Sequence, residues 1–135
     1  MFRLFQRRSP AYNLRASARR GDVRLARKVI AAGVSVDNPD NAGRTPLCLA
    51  AKYGRVEVMR VLIEAGADVN HTLADGRTPI YLAIHSGSAE AVQVLIEAGA
   101  NLDVQDSAGY SPYNYATGRG QSNVLEGLRG LPEDT

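Results

Sequence analysis

The chain has 135 residues, of which 44% are hydrophobic and 22% are charged, and its formal net charge is +2. This composition is typical of one globular domain, and no apolar run approaches the ~18 residues that a membrane-spanning helix needs. A single cysteine, Cys48, excludes an internal disulfide framework and a multi-cysteine metal site.

Basic residues are concentrated at the start of the chain. Residues 1–30 hold nine Arg or Lys residues and one acid, Asp22, whereas the rest of the chain is net negative. We assign residues 1–10 to a basic N-terminal segment. It lacks the apolar stretch of a secretory signal, so a cytoplasmic location is expected. Its charge leaves open a contact with anionic lipid or nucleic acid, and the alternative is a solvated face of the first unit.

A 33-residue repeat organises the sequence. Gly-Arg-Thr-Pro-Leu at 43–47 returns as Gly-Arg-Thr-Pro-Ile at 76–80 and as Gly-Tyr-Ser-Pro-Tyr at 109–113. A fixed period of this length indicates stacked supersecondary units. The predicted domain spans residues 11–130 and is followed by a tail at 131–135. Its units are placed at about 11–42, 43–75, 76–108 and 109–130.

In chain order, the first unit shows only its second helix clearly, at 23–30, and has no Thr-Pro start in register. The second unit is complete. Its first helix begins at Thr45-Pro46, with the threonine hydroxyl as a cap, and ends before Gly54. The spacing of apolar residues predicts a second helix over 56–64. An extended, hairpin-like finger then leads to the turn at Asp75-Gly76.

The third unit repeats this pattern, and the fourth departs from it. Ser111-Pro112 is a proper helix start, but Gly127 is predicted to interrupt the second helix and Pro132 to close it. Atypical first and last units are expected at the ends of a stack, because each has one face without a neighbour. Both end units are therefore predicted to be caps.

These motifs resemble the ankyrin repeat. The match is nearly position by position over residues 43–51 and over Leu-Ile-Glu-Ala-Gly-Ala-Asp-Val-Asn at 62–70. The resemblance covers roughly residues 11–130. It implies an all-α solenoid of stacked helix-turn-helix units with hairpin-like fingers. The histidine that usually follows Thr-Pro-Leu in this family is replaced here by Cys48, Tyr81 and Asn114.

The resemblance also implies a binding site on the concave face formed by the fingers and first helices. In the family, exposed and variable positions lie beside the finger tip and late in the first helix. Carried over by register, the partner-binding candidates are Arg19, Arg20, Arg44, Lys52, Tyr53, Arg77, His85, Ser86, Tyr110 and Arg119. Arg and Tyr are enriched at binding hot spots, so this set predicts a groove for an acidic protein surface.

No residue pattern indicates catalysis, a metal or a cofactor. The two histidines, His71 and His85, lie in different parts of their unit, and Cys48 aligns with Tyr81 and not beside His85. We expect a non-enzymatic interaction protein without a small-molecule substrate. One version is a small inhibitor or immunity-type protein that masks an enzyme or toxin, and another is an adaptor or regulatory subunit. A third class is a nucleic-acid or anionic-lipid binder acting through the basic start.

Overall fold

A computed structural model describes residues 9–129, and within that range the chain forms α-helices and no β-strand. The helices are α1 (Pro10–Arg20), α2 (Val23–Ala31), α3 (Pro46–Lys52), α4 (Val56–Glu64), α5 (Pro79–Ser86), α6 (Ala89–Glu97), α7 (Pro112–Gly118) and α8 (Ser122–Arg129). Most of the basic N-terminal segment, the predicted tail and Pro132 lie outside the described residues. None of the helices in residues 9–129 is long and apolar enough to cross a bilayer.

The helices stack as four antiparallel pairs. Helices α1, α3, α5 and α7 contact one another in sequence and form an inner layer, while α2, α4, α6 and α8 form an outer layer. Leu47, Leu62, Ile80 and Leu95 are each 0% exposed between the layers. Each unit thus buries its apolar residues against its neighbours. The predicted all-α solenoid of stacked helix-turn-helix units is confirmed.

The Ser/Thr-Pro motifs start helices in two different ways. The hydroxyl of Thr45 accepts a hydrogen bond from the Cys48 N–H (3.3 Å), and that of Ser111 accepts from the Asn114 N–H (3.1 Å). The cap predicted for the third unit is wrong, because Thr78 makes no side-chain capping bond. Its backbone φ is −119°, against −77° at Thr45, and its carbonyl instead accepts from the Tyr81 N–H (3.0 Å).

The first unit has a Ser-Pro start that lies outside the 33-residue register. Ser9 caps α1 by accepting a hydrogen bond from the Tyr12 N–H (3.1 Å), and Pro10 is the first helical residue. Helix α1 has 11 residues against 7 in α3, an extension of about one turn. The helix therefore begins at Pro10, which is the last residue of the predicted N-terminal segment.

Gly127 does not interrupt the last helix, so that prediction is wrong. Helix α8 runs unbroken from Ser122 to Arg129. A mid-helix glycine costs only about 1 kcal/mol, and the burial of Val124 and Leu128 outweighs that cost. A Cβ added at Gly127 would lie 3.5 Å from the side-chain oxygen of Gln93, so the glycine sits close to α6.

The fingers are closed turns without strand pairing. Three equivalent backbone bonds close them: Asp40 N–H to Arg44 O (2.9 Å), Leu73 N–H to Arg77 O (2.8 Å) and Asp106 N–H to Tyr110 O (3.0 Å). Gly76 has a φ of 81°, and a Cβ there would come within 3.1 Å of Asp106 Cα. Both constraints favour glycine, and the close approach packs the second of these fingers against the third.

Candidate functional site

Asp106 anchors the junction between the third and fourth units. Its side chain is only 1% exposed. One carboxylate oxygen accepts hydrogen bonds from the Ala108 N–H (3.0 Å) and the Tyr110 N–H (2.9 Å), and the other lies 3.2 Å from Nε of Arg77. Burial opposes ionisation, but these three donors hold the pKa of Asp106 below its usual value. Asp106 thus orders its own finger and fixes an arginine of the preceding finger.

Arg77 and Arg119 converge on one aromatic ring. The Arg77 guanidinium carbon lies 4.7 Å from the centre of the Tyr115 ring, and that of Arg119 lies 5.5 Å away. These are cation–π distances. A pocket of about 220 Å³ opens beside them, and its lining residues are Arg77, Tyr110, Asn114, Tyr115, Gly118 and Arg119. We call it the end pocket.

Tyr81 makes hydrogen bonds to the finger from the position where the family usually has histidine. Its hydroxyl donates to the carbonyl oxygen of Tyr110 (2.6 Å) and lies 3.2 Å from that of Val104, while its ring packs edge-on to Tyr115 at 5.5 Å. Burial raises the pKa of Tyr81 to about 12. The phenol therefore stays neutral and ties the finger at Asp106–Tyr110 to α5, next to Tyr115 of the end pocket.

The pKa of His85 responds to positive charges on the inner layer. Burial lowers the pKa of His85, and the positive charges of Arg119, Lys52 and Arg77 lower it further. The three cations come from three consecutive units, at the ends of α3 and α7 and at the start of α5. The three cations therefore lie close enough to act on one imidazole, and they bring positive charge to this part of the inner layer.

Six of the ten predicted partner-binding residues are connected by these contacts and charges. Arg77, Tyr110 and Arg119 line the end pocket, and His85 lies in the field of Arg119, Lys52 and Arg77. Tyr53 joins them through Lys52, whose Nζ lies 5.5 Å from the centre of the Tyr53 ring. The inner-helix cluster is defined as Lys52, Tyr53, Arg77, His85, Tyr110 and Arg119.

The other four predicted residues have different surroundings. Arg44 is bound within its own finger, with Nε 3.1 Å from an Asp40 oxygen. The Ser86 hydroxyl donates to the Ala83 carbonyl (2.6 Å) and accepts from the Ser88 N–H. The Arg19 carbonyl accepts from Arg55 Nε (2.9 Å), and Arg20 borders a separate groove between the first two units.

Sequence reasoning missed Tyr115 and Asp106 as parts of the site. Tyr115 aligns with Leu49 and Leu82, which occupy an apolar position in each complete unit, so its register indicated core. This position is buried at Leu49 but only partly buried at Leu82 and Tyr115, and the Tyr115 ring contacts two arginines. Asp106 aligns with Leu73, and only its equivalence to Asp40 two units earlier could have indicated its role.

A second concavity lies between the outer helices. Its volume is about 460 Å³, and it is bordered by residues of α2, α4 and α6 that include Arg27, Glu64 and Glu97. Arg60, also in its wall, lies 3.3 Å from Glu90 and 3.8 Å from Glu57. Both signs of charge line this groove and partly neutralise each other. It therefore differs from the surroundings of His85, where the charges that shift the pKa of the imidazole are all positive.

Cys48 is placed as a core residue. Its side chain is 0% exposed, and burial raises the pKa of the thiol, which disfavours the reactive thiolate. Within residues 9–129, no group of three or more His, Cys, Asp or Glu side chains is arranged to hold a metal ion.

Comparison with known proteins identifies a family at the centre of the chain. A family model described as ankyrin repeats in many copies matches residues 47–96. These residues run from α3 to near the end of α6 and cover most of the second unit and the helices of the third up to residue 96. No curated protein matches the chain.

Proposed function

We propose that the chain is an ankyrin-repeat protein, because a model of that family matches residues 47–96, and that it binds a protein partner through its inner-helix cluster. Ankyrin repeats generally mediate protein–protein interaction and are typically non-enzymatic. The proposed partner presents an acidic surface or an acidic segment to the cluster. The observation that carries this proposal is the convergence of Arg77 and Arg119 on the Tyr115 ring beside the end pocket, with Lys52 and both arginines close enough to lower the pKa of His85.

Unpaired charge supports the choice of an acidic partner. Among the described residues, neither Lys52 nor Arg119 forms an ion pair, and Arg119 is exposed. Exposed charges of one sign steer an oppositely charged partner and raise its association rate. Tyr53 and Tyr110 are 46% and 50% exposed and supply apolar contact area between these cations.

The scaffold holds the cluster in place before a partner arrives. Asp106 fixes Arg77, and the Tyr115 ring contacts the guanidinium groups of Arg77 and Arg119. Side chains that are already ordered lose less conformational entropy on binding. This favours a rigid surface that engages a partner without refolding.

We further propose that the protein acts in the cytoplasm by masking its partner, as a small inhibitor or immunity-type protein does. The four helix pairs offer one stacked surface, and such a surface is sufficient to cover part of a partner. A masking protein should form a 1:1 complex and abolish the partner's activity. A complex that leaves the activity intact would indicate an adaptor or regulatory subunit instead.

Selection from a peptide-display library tests the acidic-partner proposal, with affinity measured by isothermal titration. We expect enriched peptides to be rich in Asp and Glu and to bind less tightly as salt increases. The double variant Lys52→Glu/Arg119→Glu should weaken binding about tenfold or more. Arg77 is left unchanged, because reversing it would place a carboxylate against Asp106.

The matched control reverses two exposed cations on the outer layer, Arg24→Glu/Lys28→Glu in α2. It changes the net charge by the same amount and should leave affinity within about twofold. Equal losses in both double variants would show that only net charge matters. Selection of neutral peptides, or preferential binding of nucleic acid or anionic vesicles, would overturn the proposal.

A further inference from the structure

We propose that the end pocket takes one carboxylate side chain from the acidic segment of the partner. This inference rests on the proposed function and assigns a ligand chemistry to one place within the inner-helix cluster. The pocket has a volume of about 220 Å³ and is bordered by two arginines and two tyrosines. These are the groups that recognise an oxyanion carried on a short apolar stem.

The two arginines are available in different ways. Arg119 forms no ion pair with any described residue, so all its donors can reach a ligand. Arg77 donates from Nε to Asp106, and no ion pair within the described residues involves its two terminal nitrogens. Those nitrogens are the paired donors with which arginine binds carboxylates. The pocket thus has one guanidinium without an ion pair, that of Arg119, and one whose Nε is bound to Asp106, that of Arg77.

Charge balance favours a monoanion. The charge of Arg77 is offset by the carboxylate of Asp106, which is only 1% exposed and 3.2 Å away. Arg119 is then the uncompensated cation of the pocket wall. One uncompensated positive charge matches a carboxylate better than a doubly charged phosphate group. The Tyr110 and Tyr115 rings offer an apolar wall for the methylene groups of a glutamate or aspartate side chain.

Asp75 competes for the same guanidinium. Its carboxylate oxygen lies 3.9 Å from Arg77 Nε, and its side chain is 53% exposed. Its other oxygen accepts a hydrogen bond from the Arg77 N–H (3.0 Å), and its carbonyl accepts from Ser107. The variant Asp75→Asn keeps an oxygen for the Arg77 N–H and removes the negative charge. It should therefore free Arg77 for a ligand without changing the finger.

The test follows the arginine Nε–Hε signals by NMR during titration of the full chain with N-acetylglutamate amide. N-acetylglutamine amide is the neutral isostere, and inorganic phosphate is the alternative anion. We expect the glutamate compound to shift Arg119 and Arg77 saturably and the glutamine compound to leave them unchanged. Asp75→Asn should strengthen binding about threefold, and Arg119→Gln should weaken it about fivefold. A gain of affinity in Asp75→Asn cannot arise from partial unfolding.

The pocket assignment and the proposed function can fail separately. If selected acidic peptides bind both Asp75→Asn and Arg119→Gln with unchanged affinity, the proposed function stands and the pocket assignment is overturned. Saturable glutamate binding without selection of any acidic peptide would retain the pocket and overturn the proposed function. Tighter binding of phosphate than of the glutamate compound, or equal binding of both glutamate and glutamine compounds, would overturn the carboxylate assignment.

Discussion

Replacing Asp106 with alanine is expected to lower the free energy of unfolding by about 3 kcal/mol. The substitution removes the acceptor of the Ala108 and Tyr110 N–H groups, and it removes the partner of Arg77 at 3.2 Å. The carboxylate is almost fully buried, so water cannot replace these bonds without opening the finger. Chemical denaturation of wild-type and variant proteins at neutral pH measures the change.

Asp40→Ala is the matched control, because Asp40 occupies the same finger position two units earlier. Asp40 also accepts from two finger N–H groups, those of Ala42 and Arg44, but its ion pair joins Arg44 of the same finger. Its side chain is 13% exposed. We expect a loss of about 1–2 kcal/mol, without uncoupling of neighbouring units. An equal or larger loss for Asp40→Ala would contradict the role given to Asp106.

Alkaline pH is expected to reduce the stabilising contribution of Tyr81. Below pH 10.0 the phenol is protonated in the folded and unfolded chains, whereas between pH 10.0 and about 12 only the unfolded chain ionises it. Unfolding is then favoured by up to about 2.7 kcal/mol, the value of two pKa units. At neutral pH, Tyr81→Phe should cost about 1–2 kcal/mol, because the hydrogen bond from the hydroxyl to the Tyr110 carbonyl is lost.

The measured quantity is the difference in unfolding free energy between wild type and Tyr81→Phe across this pH range. It should be positive at pH 7 and should shrink or reverse by pH 12. Tyr53→Phe, which alters a ring that is 46% exposed, controls for the loss of one surface phenol. A wild-type advantage that stays constant from pH 7 to pH 12 would contradict the assignment of a buried, hydrogen-bonded phenol.

The sequence predicts the fold well where local signals repeat. Thr45-Pro46 and Gly54 bound α3 as expected, because capping and left-handed backbone conformations depend on a few adjacent residues. The sequence does not predict the start of α1, because Ser9-Pro10 lies outside the 33-residue register of the other Ser/Thr-Pro starts. Gly127 was misread because its local cost is small beside the burial of Val124 and Leu128, which depends on packing.

The candidate site was predictable in part. The register placed Arg77, Tyr110 and Arg119 on one face, and the structure brings these three to one pocket. Register could not show that Arg44 is held by Asp40 of its own finger while Arg77 is held by Asp106 of the next. That difference depends on which aspartate lies beside each guanidinium in three dimensions, and the sequence spacing does not predict this.

Chemical-shift mapping of a selected acidic peptide on the ¹⁵N-labelled chain tests the central claim most directly. The account predicts the largest perturbations at the inner-helix cluster and at Tyr115, with Arg119 side-chain signals among them. Signals of Arg27, Glu64 and Glu97, which border the outer groove, should remain unchanged. Perturbations centred on the outer groove, with the cluster unaffected, would contradict it.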